Sequence, residues 1–256
     1  AFRPGLAMSL NNLANRLSDA GQREEALNIA AEAVAIRREL ADANPDAFRP
    51  YLAASLNNLA TILRDAGQRQ EALEIAAEAA ALYRELADAN PDAFRPDLAT
   101  SLNNLATILR DAGQRQEALK IAGEAATLYR ELADANPDAF RPDLAMSLNT
   151  LANRLSDAGQ REQALTIAAE AATLYRELAD ANPDAFRPYL ATSLNNLATI
   201  LRDAGQRQEA LKIAGEAATL YRELADANPD AFRPDLAMSL NNLATILRDA
   251  GQRQEA

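Results

Sequence analysis

The chain has 256 residues, no Cys, no His and no Trp, and its 26 basic and 37 acidic side chains give a formal net charge of −11. Without His or Cys the usual zinc sites, Ser–His relays and thiolate chemistry are excluded, and no cysteine marks the redox compartment. The acidic balance argues against nucleic acid and anionic membrane as partners, and no run of about 18 apolar residues reads as a membrane span; the expected compartment is the cytoplasm.

Ser9-Leu10-Asn11-Asn12-Leu13-Ala14 is the stretch around which the chain is built. It returns from Ser55, Ser101, Ser147, Ser193 and Ser239, always 46 residues on, with Thr150 once in place of the second Asn. A fixed period of about 20–50 residues marks an array of stacked units, none of which can bury its apolar face alone. Five units span 1–46, 47–92, 93–138, 139–184 and 185–230, and a sixth runs from 231 to 256. One repeat array over 1–256 is expected, and the missing initial Met and the end within a unit read as a fragment of a longer one.

The third unit shows the elements in order. Pro96 suits the first position of a helix, where a missing N–H is no loss, so a first helix is expected from about Pro96 to Ala112. Gly113 should end it in a left-handed cap. A second helix is expected from near Gln114 to about Ala135, ahead of Asn136-Pro137, and the short turn makes the pair antiparallel. Phe94 then falls in the loop between units, as a plug for the seam. Leu98, Leu102, Leu105, Ala106 and Leu109 form one apolar face of the first helix. Ala118, Leu119, Ile121, Ala122, Ala125, Leu128, Tyr129 and Leu132 cover a wider arc of the second, with the alanines allowing close backbone approach.

Leu102, Leu105, Ala106 and Leu109, followed by Ala118, Ala122 and Ala125, resemble the tetratricopeptide repeat signature, and the match recurs in every unit. The units are 12 residues longer than that family's usual 34, and Leu replaces its aromatic residues. The Leu-Asn-Asn-Leu-Ala core with long helices is similar to the kinesin-light-chain type of repeat, and to the arrays of bacterial signalling ATPases of the STAND class. The resemblance implies an all-α right-handed solenoid of antiparallel helix pairs, first helices lining the concave side, and a role in binding peptides or proteins.

At about 100° per residue, Thr100, Asn104, Thr107 and Asp111 fall within an arc of about 60° opposite the leucines, with Asn103 and Arg110 on its flank. Asn costs about 0.6 kcal/mol relative to Ala inside a helix, so eleven such Asn cost about 6–7 kcal/mol, comparable to the stability of a domain. Three assignments stand open: a ladder of amides facing a peptide backbone, amides fixing the stacking of units, or one Asn of each pair in each role. The candidate groove comprises Asn11, Asn12, Asn57, Asn58, Thr61, Arg64, Asn103, Asn104, Thr107, Arg110, Asn149, Asn153, Asn195, Asn196, Thr199, Arg202, Asn241 and Asn242. Residues that differ between units also fall on this face: Met8, Ala54, Thr100, Met146, Thr192 and Met238 at one position, and Gly5, Asp or Tyr three residues before it. Neutral drift after duplication is the alternative account of that variation.

No catalytic residue, metal ligand or cofactor site is expected. The leading expectation is a non-catalytic interaction module holding an extended peptide or partner helix, with Arg64, Arg110, Arg202 and Arg248 favouring an acidic one. A self-assembling rod is the alternative, because near-identical units make the two ends complementary. A sensor arm of a larger signalling ATPase rests on resemblance alone.

Overall fold

The computed structural model describes residues 2–249 and 251. Among them are eleven α-helices and no strand: α1 Arg3–Asp19, α2 Arg23–Ala43, α3 Pro45–Asp65, α4 Arg69–Ala89, α5 Pro91–Asp111, α6 Arg115–Ala135, α7 Pro137–Asp157, α8 Arg161–Ala181, α9 Pro183–Asp203, α10 Arg207–Ala227 and α11 Pro229–Asp249. The last residues of the sixth repeat lie outside the described ones. The chain forms two compact units, Ala1–Leu128 and Tyr129–Ala256, whose boundary falls within α6. In each, consecutive helices pack as antiparallel pairs.

Each first helix begins earlier than expected. The helix start is the Asn-Pro step, not the second proline five residues on. Asn has the short acceptor that a helix start needs, and Asn136 Oδ1 accepts from the Ala139 N–H at 3.3 Å. Pro137 takes the first position, leaving Pro142 inside the helix. That inner proline removes one backbone bond near the start and does not break the helix. Phe94 therefore lies on α5, with its N–H donating to the Asn90 carbonyl at 3.2 Å, and not in a loop.

The helix stops are as local chemistry dictates. Gly113 has φ +79°, its N–H donates to Arg110 O, and the Gln114 N–H reaches Leu109 O, both at 2.9 Å. These two bonds close the left-handed terminus that satisfies otherwise orphaned carbonyls. The core of each unit is leucine on the first helices and alanine on the second. Leu56, Leu102, Leu148 and Leu194 are fully buried, as are Ala76, Ala122, Ala168 and Ala214. Each such leucine contributes about 1.5–3 kcal/mol, and the alanines let helix backbones come close.

Two glycines ten residues apart should respond to alanine with opposite signs. Gly113→Ala forces an L-residue into the left-handed region and should cost about 1–2 kcal/mol. Gly123 lies inside α6 with open space where a Cβ would sit, so Gly123→Ala should stabilise by about 0.5–1 kcal/mol. Urea unfolding of both variants checks the pair.

Candidate functional site

Within each unit the first helices of successive hairpins touch one another, α1 with α3 and α3 with α5, and likewise α7 with α9 and α9 with α11. The backbones of the second helices α2 and α4 stand farther apart, as do those of α8 and α10. First helices therefore form the inner side of each unit. On the outer side long ion pairs bridge the wider gap: Arg38 to Glu78 at 2.6 Å and Arg84 to Glu124 at 2.8 Å in one unit, Arg130 to Glu170 and Arg176 to Glu216 at 2.7 Å in the other. A cavity of 640 Å³ opens on that outer side beside Arg38, Arg49, Glu78 and Glu85. Both of its arginines are matched, Arg38 with Glu78 and Arg49 with Glu85, and Asp42 also lines it.

The two Asn of each pair part company. The first turns into the seam between hairpins. Ser101 Oγ donates to Asn57 Oδ1 at 3.0 Å, Ser193 to Asn149 at 3.0 Å, and Ser239 to Asn195 at 3.1 Å. Asn11 Nδ2 donates to Ser55 Oγ at 3.1 Å. Asn57 and Asn103 are only 9% and 6% exposed, and every one of these serines is fully buried. Asn57 and Asn103 are therefore not open to a ligand, whereas Asn11, Asn149 and Asn195 are half-buried and Asn241 is exposed. A one-helix wheel misses this because it knows a single core direction, whereas each inner helix also meets its neighbour's first helix.

The second Asn stays at the surface. Asn12 is exposed and Asn58, Asn104 and Asn196 are half-buried, with no side-chain hydrogen bond among the described residues. Asn242 differs, donating to the Asn195 carbonyl at 3.3 Å and accepting from Thr199 at 3.4 Å. Thr61 and Thr107 donate to the carbonyls of Asn57 and Asn103 one turn back, at 3.2 and 3.1 Å, which occupies their donor. Thr199 shares its single O–H between the Asn195 carbonyl at 3.0 Å and Asn242 Oδ1 at 3.4 Å. Asn153 and Asn241 also lie on this inner side, on α7 and α11.

The arginine row carries no net charge. Arg64, Arg110 and Arg202 each pair at 2.8 Å with the Asp that follows, Asp65, Asp111 and Asp203. An acidic ligand at these arginines would therefore compete with an aspartate of the chain itself. Between α1 and α3 a cavity of 310 Å³ is lined by Asn15, Ser18, Asp19, Asn58, Thr61, Ile62 and Asp65.

Residues outside the expected set complete the face. Away from α1 and α11, the large apolar side chains exposed among the described residues are Tyr51, Met146 and Tyr189. All occupy the two variable positions near the start of the first helices. That variation was the only sequence signal for them. Buried tyrosines of the second helices rise beneath: the Tyr221 hydroxyl lies 2.7 Å from Thr192 Oγ1. Burial pushes the Tyr83 phenol well above its ordinary range, and the nearby Asp97 adds to the shift. The Tyr175 phenol is raised by burial and then by Tyr189 and Asp143. Burial also pushes the Asp97 and Asp143 carboxyls up.

Among the described residues no cluster of three His, Cys, Asp or Glu is placed to hold a metal, and no helix is long and apolar enough to cross a membrane.

Two family models, both described as tetratricopeptide repeat, match the chain, one over residues 51–131 and the other over 6–46, 144–184, 190–230 and 236–256. No curated protein matches it. Among solved structures the chain is similar to the putative kinesin light chain nearly identical TPR-like repeats of Podosopora anserina, 23% identical with a TM-score of 0.65, covering 86% of this chain and 96% of that one. It is similar to BtubC (BKLC) from P. vanneervenii, 22% identical with a TM-score of 0.70, covering 91% and 86%. It is also similar to a Rap protein complexed with competence and sporulation factor, 17% identical with a TM-score of 0.58, covering 96% and 65%. At these identities the likeness establishes the fold. None of these three supports the resemblance to signalling ATPases.

Two outcomes follow from the geometry. Asn57→Ala strands the buried Ser101 hydroxyl and should cost about 1–3 kcal/mol, whereas Asn58→Ala should be neutral or stabilise by up to about 0.6 kcal/mol. Asn57→Ala with Ser101→Ala should cost less than the two singles summed, as a double-mutant cycle in urea would show. The folded chain keeps Tyr83 and Tyr175 protonated while the unfolded chain ionises near its ordinary value of about 10. Stability is thus fully present below that pH and falls as pH rises above it, and Tyr83→Phe with Tyr175→Phe should flatten the fall in alkaline thermal melts.

Proposed function

The chain belongs to the tetratricopeptide repeat family, and we propose that it is a non-catalytic interaction module whose inner faces take up an extended peptide or a partner helix. The observation that carries this reading is the composition of the face. Exposed Tyr51 and Tyr189 share α3 and α9 with the surface amides of Asn58 and Asn196 two turns on, and exposed Met146 lies at the neighbouring variable position of α7. An extended peptide presents apolar side chains and unsatisfied backbone groups together, and an amide side chain can donate to and accept from that backbone. The Rap protein of similar architecture, complexed with competence and sporulation factor, supports a ligand-holding role. With the arginine row matched internally, an acidic partner is not specially favoured.

A second reading, head-to-tail association of copies, is favoured by the near-identity of the repeats, which lets the face of one hairpin dock on that of another. Sedimentation of a strict monomer at all accessible concentrations would remove this reading.

The groove reading is tested with peptides selected by display on the wild-type chain. The Asn58→Ala, Asn104→Ala, Asn196→Ala triple variant should bind them at least about tenfold more weakly, the loss of roughly one good hydrogen bond, with its thermal midpoint unchanged or raised. Equal affinity for the two proteins would end the reading.

A further inference from the structure

We infer that the cavity between α1 and α3, where Ser18 takes the place of an arginine beside Asp19, is a subsite for a guanidinium group carried by the ligand of the inner face. This rests on the groove reading and names what one part of the groove selects.

The repeats themselves show what this cavity lacks. The repeat position of Ser18 holds Arg64, Arg110, Arg202 and Arg248 in four other repeats and Ser156 in the remaining one. Where arginine stands there, its guanidinium meets the aspartate that ends the same helix. Arg64 Nε and Nη2 both donate to Asp65 Oδ1, at 3.0 and 2.8 Å, and Arg202 meets Asp203 in the same way. Ser18 removes that side chain from α1 and leaves Asp19 in place. The 310 Å³ cavity stands there, lined by Asp19 with Asn15, Ser18, Asn58, Thr61 and Asp65. Among the described residues no cation pairs with Asp19. Arg16, on the preceding turn of α1, is exposed and does not reach it. Its counterpart in the other repeat with serine, Arg154, lies 3.8 Å from Asp157. The first repeat has thus lost the cation that the same aspartate meets elsewhere.

The rest of the lining suits a replacement from outside. Asp19 and Asp65 are the last residues of α1 and α3, at helix ends where the macrodipole favours a cation. Arg64 answers Asp65, so one carboxylate charge is left over. Thr61 donates to the Asn57 carbonyl at 3.2 Å and offers the cavity only lone pairs. Asn15, Ser18 and Asn58 line the cavity with no side-chain hydrogen bond among the described residues, so their oxygens are open to donors. A guanidinium carries five N–H donors in one plane and no acceptor. It can pair with the carboxylate while its remaining donors reach the amide and hydroxyl oxygens around it. That is the group this chain itself sets on the equivalent aspartate in the arginine-bearing repeats.

The test uses the whole chain isotopically labelled at asparagine, the Asn58 side-chain amide resonance being assigned with Asn58→Ala. Methylguanidinium is titrated against N-methylurea, which has nearly the same shape and no charge, at constant ionic strength. Methylguanidinium should shift the Asn58 resonance saturably, with an apparent Kd on the order of fivefold below that of N-methylurea, the gain of a partly exposed ion pair. Asp19→Asn should bring the two compounds level. Ser18→Arg restores the side chain that four repeats carry, so it should leave the thermal midpoint unchanged or higher and abolish the saturable shift. Equal response to the two compounds, or a saturable shift at Asn58 that survives Ser18→Arg, overturns the subsite. If display-selected peptides still discriminate the triple Asn variant in that case, the groove stands and only its guanidinium preference falls.

Discussion

A serine hydroxyl buried to zero exposure in the seams within each unit is the constraint on which the rest depends. Leucine and alanine packing drives the hairpins together, yet it is permissive: a surface of small side chains tolerates sliding with little loss. A hydroxyl cut off from water is not permissive, because leaving it unpaired costs its full desolvation. Ser101 is satisfied by Asn57 of the preceding hairpin, Ser193 by Asn149 and Ser239 by Asn195. Each bond joins two first helices at one register. Shift the helices by a turn and the hydroxyl faces alanine or leucine. The amide that costs its own helix stability thus specifies how that helix meets the next.

That register decides what the inner face displays. Because first helices touch while α2 and α4, or α8 and α10, stand apart, side chains on the inner side are crowded into rows, and the outer side is spanned by arginine and glutamate. Crowding raises the phenols of Tyr83 and Tyr175 and the carboxyls of Asp97 and Asp143 through loss of water. The outer ion pairs, each more than a third exposed, add little stability; their place is across a gap that apolar side chains do not fill.

The parts of this arrangement legible from sequence are those set within a few residues. A glycine stop such as Gly113 declares itself, and so does the leucine face from Leu98 to Leu109. The helix start was ambiguous because Pro137 and Pro142 both suit a first turn; the preceding Asn136 carries the cue, as its side chain caps the helix that begins at Pro137. The division of labour within each Asn pair was not legible, since it depends on where the neighbouring first helix lies. The pairing within the arginine row was hidden for a simpler reason: Arg64 and Asp65 stand at adjacent positions yet meet at 2.8 Å, a contact that a wheel does not show. Tyr51 and Tyr189 were visible only as variable positions.

Variation among near-identical repeats takes a specific meaning from this geometry. The seam serine is the same in every repeat, because any hairpin must dock on any other. The positions that differ face outward from that docking, and there the differences are coupled. Arg37 replaces a buried tyrosine in the one repeat whose successor places Tyr51 over it. A lone arginine at 6% exposure would be costly without that ring. Drift acting on independent positions does not by itself pair an unusual buried cation with the aromatic surface it needs. The other tyrosine of the same position, Tyr189, stacks on Tyr175 in place of a cation. One backbone scheme thus seats either a guanidinium or a second ring on an exposed tyrosine, and a single residue of the preceding second helix makes the choice.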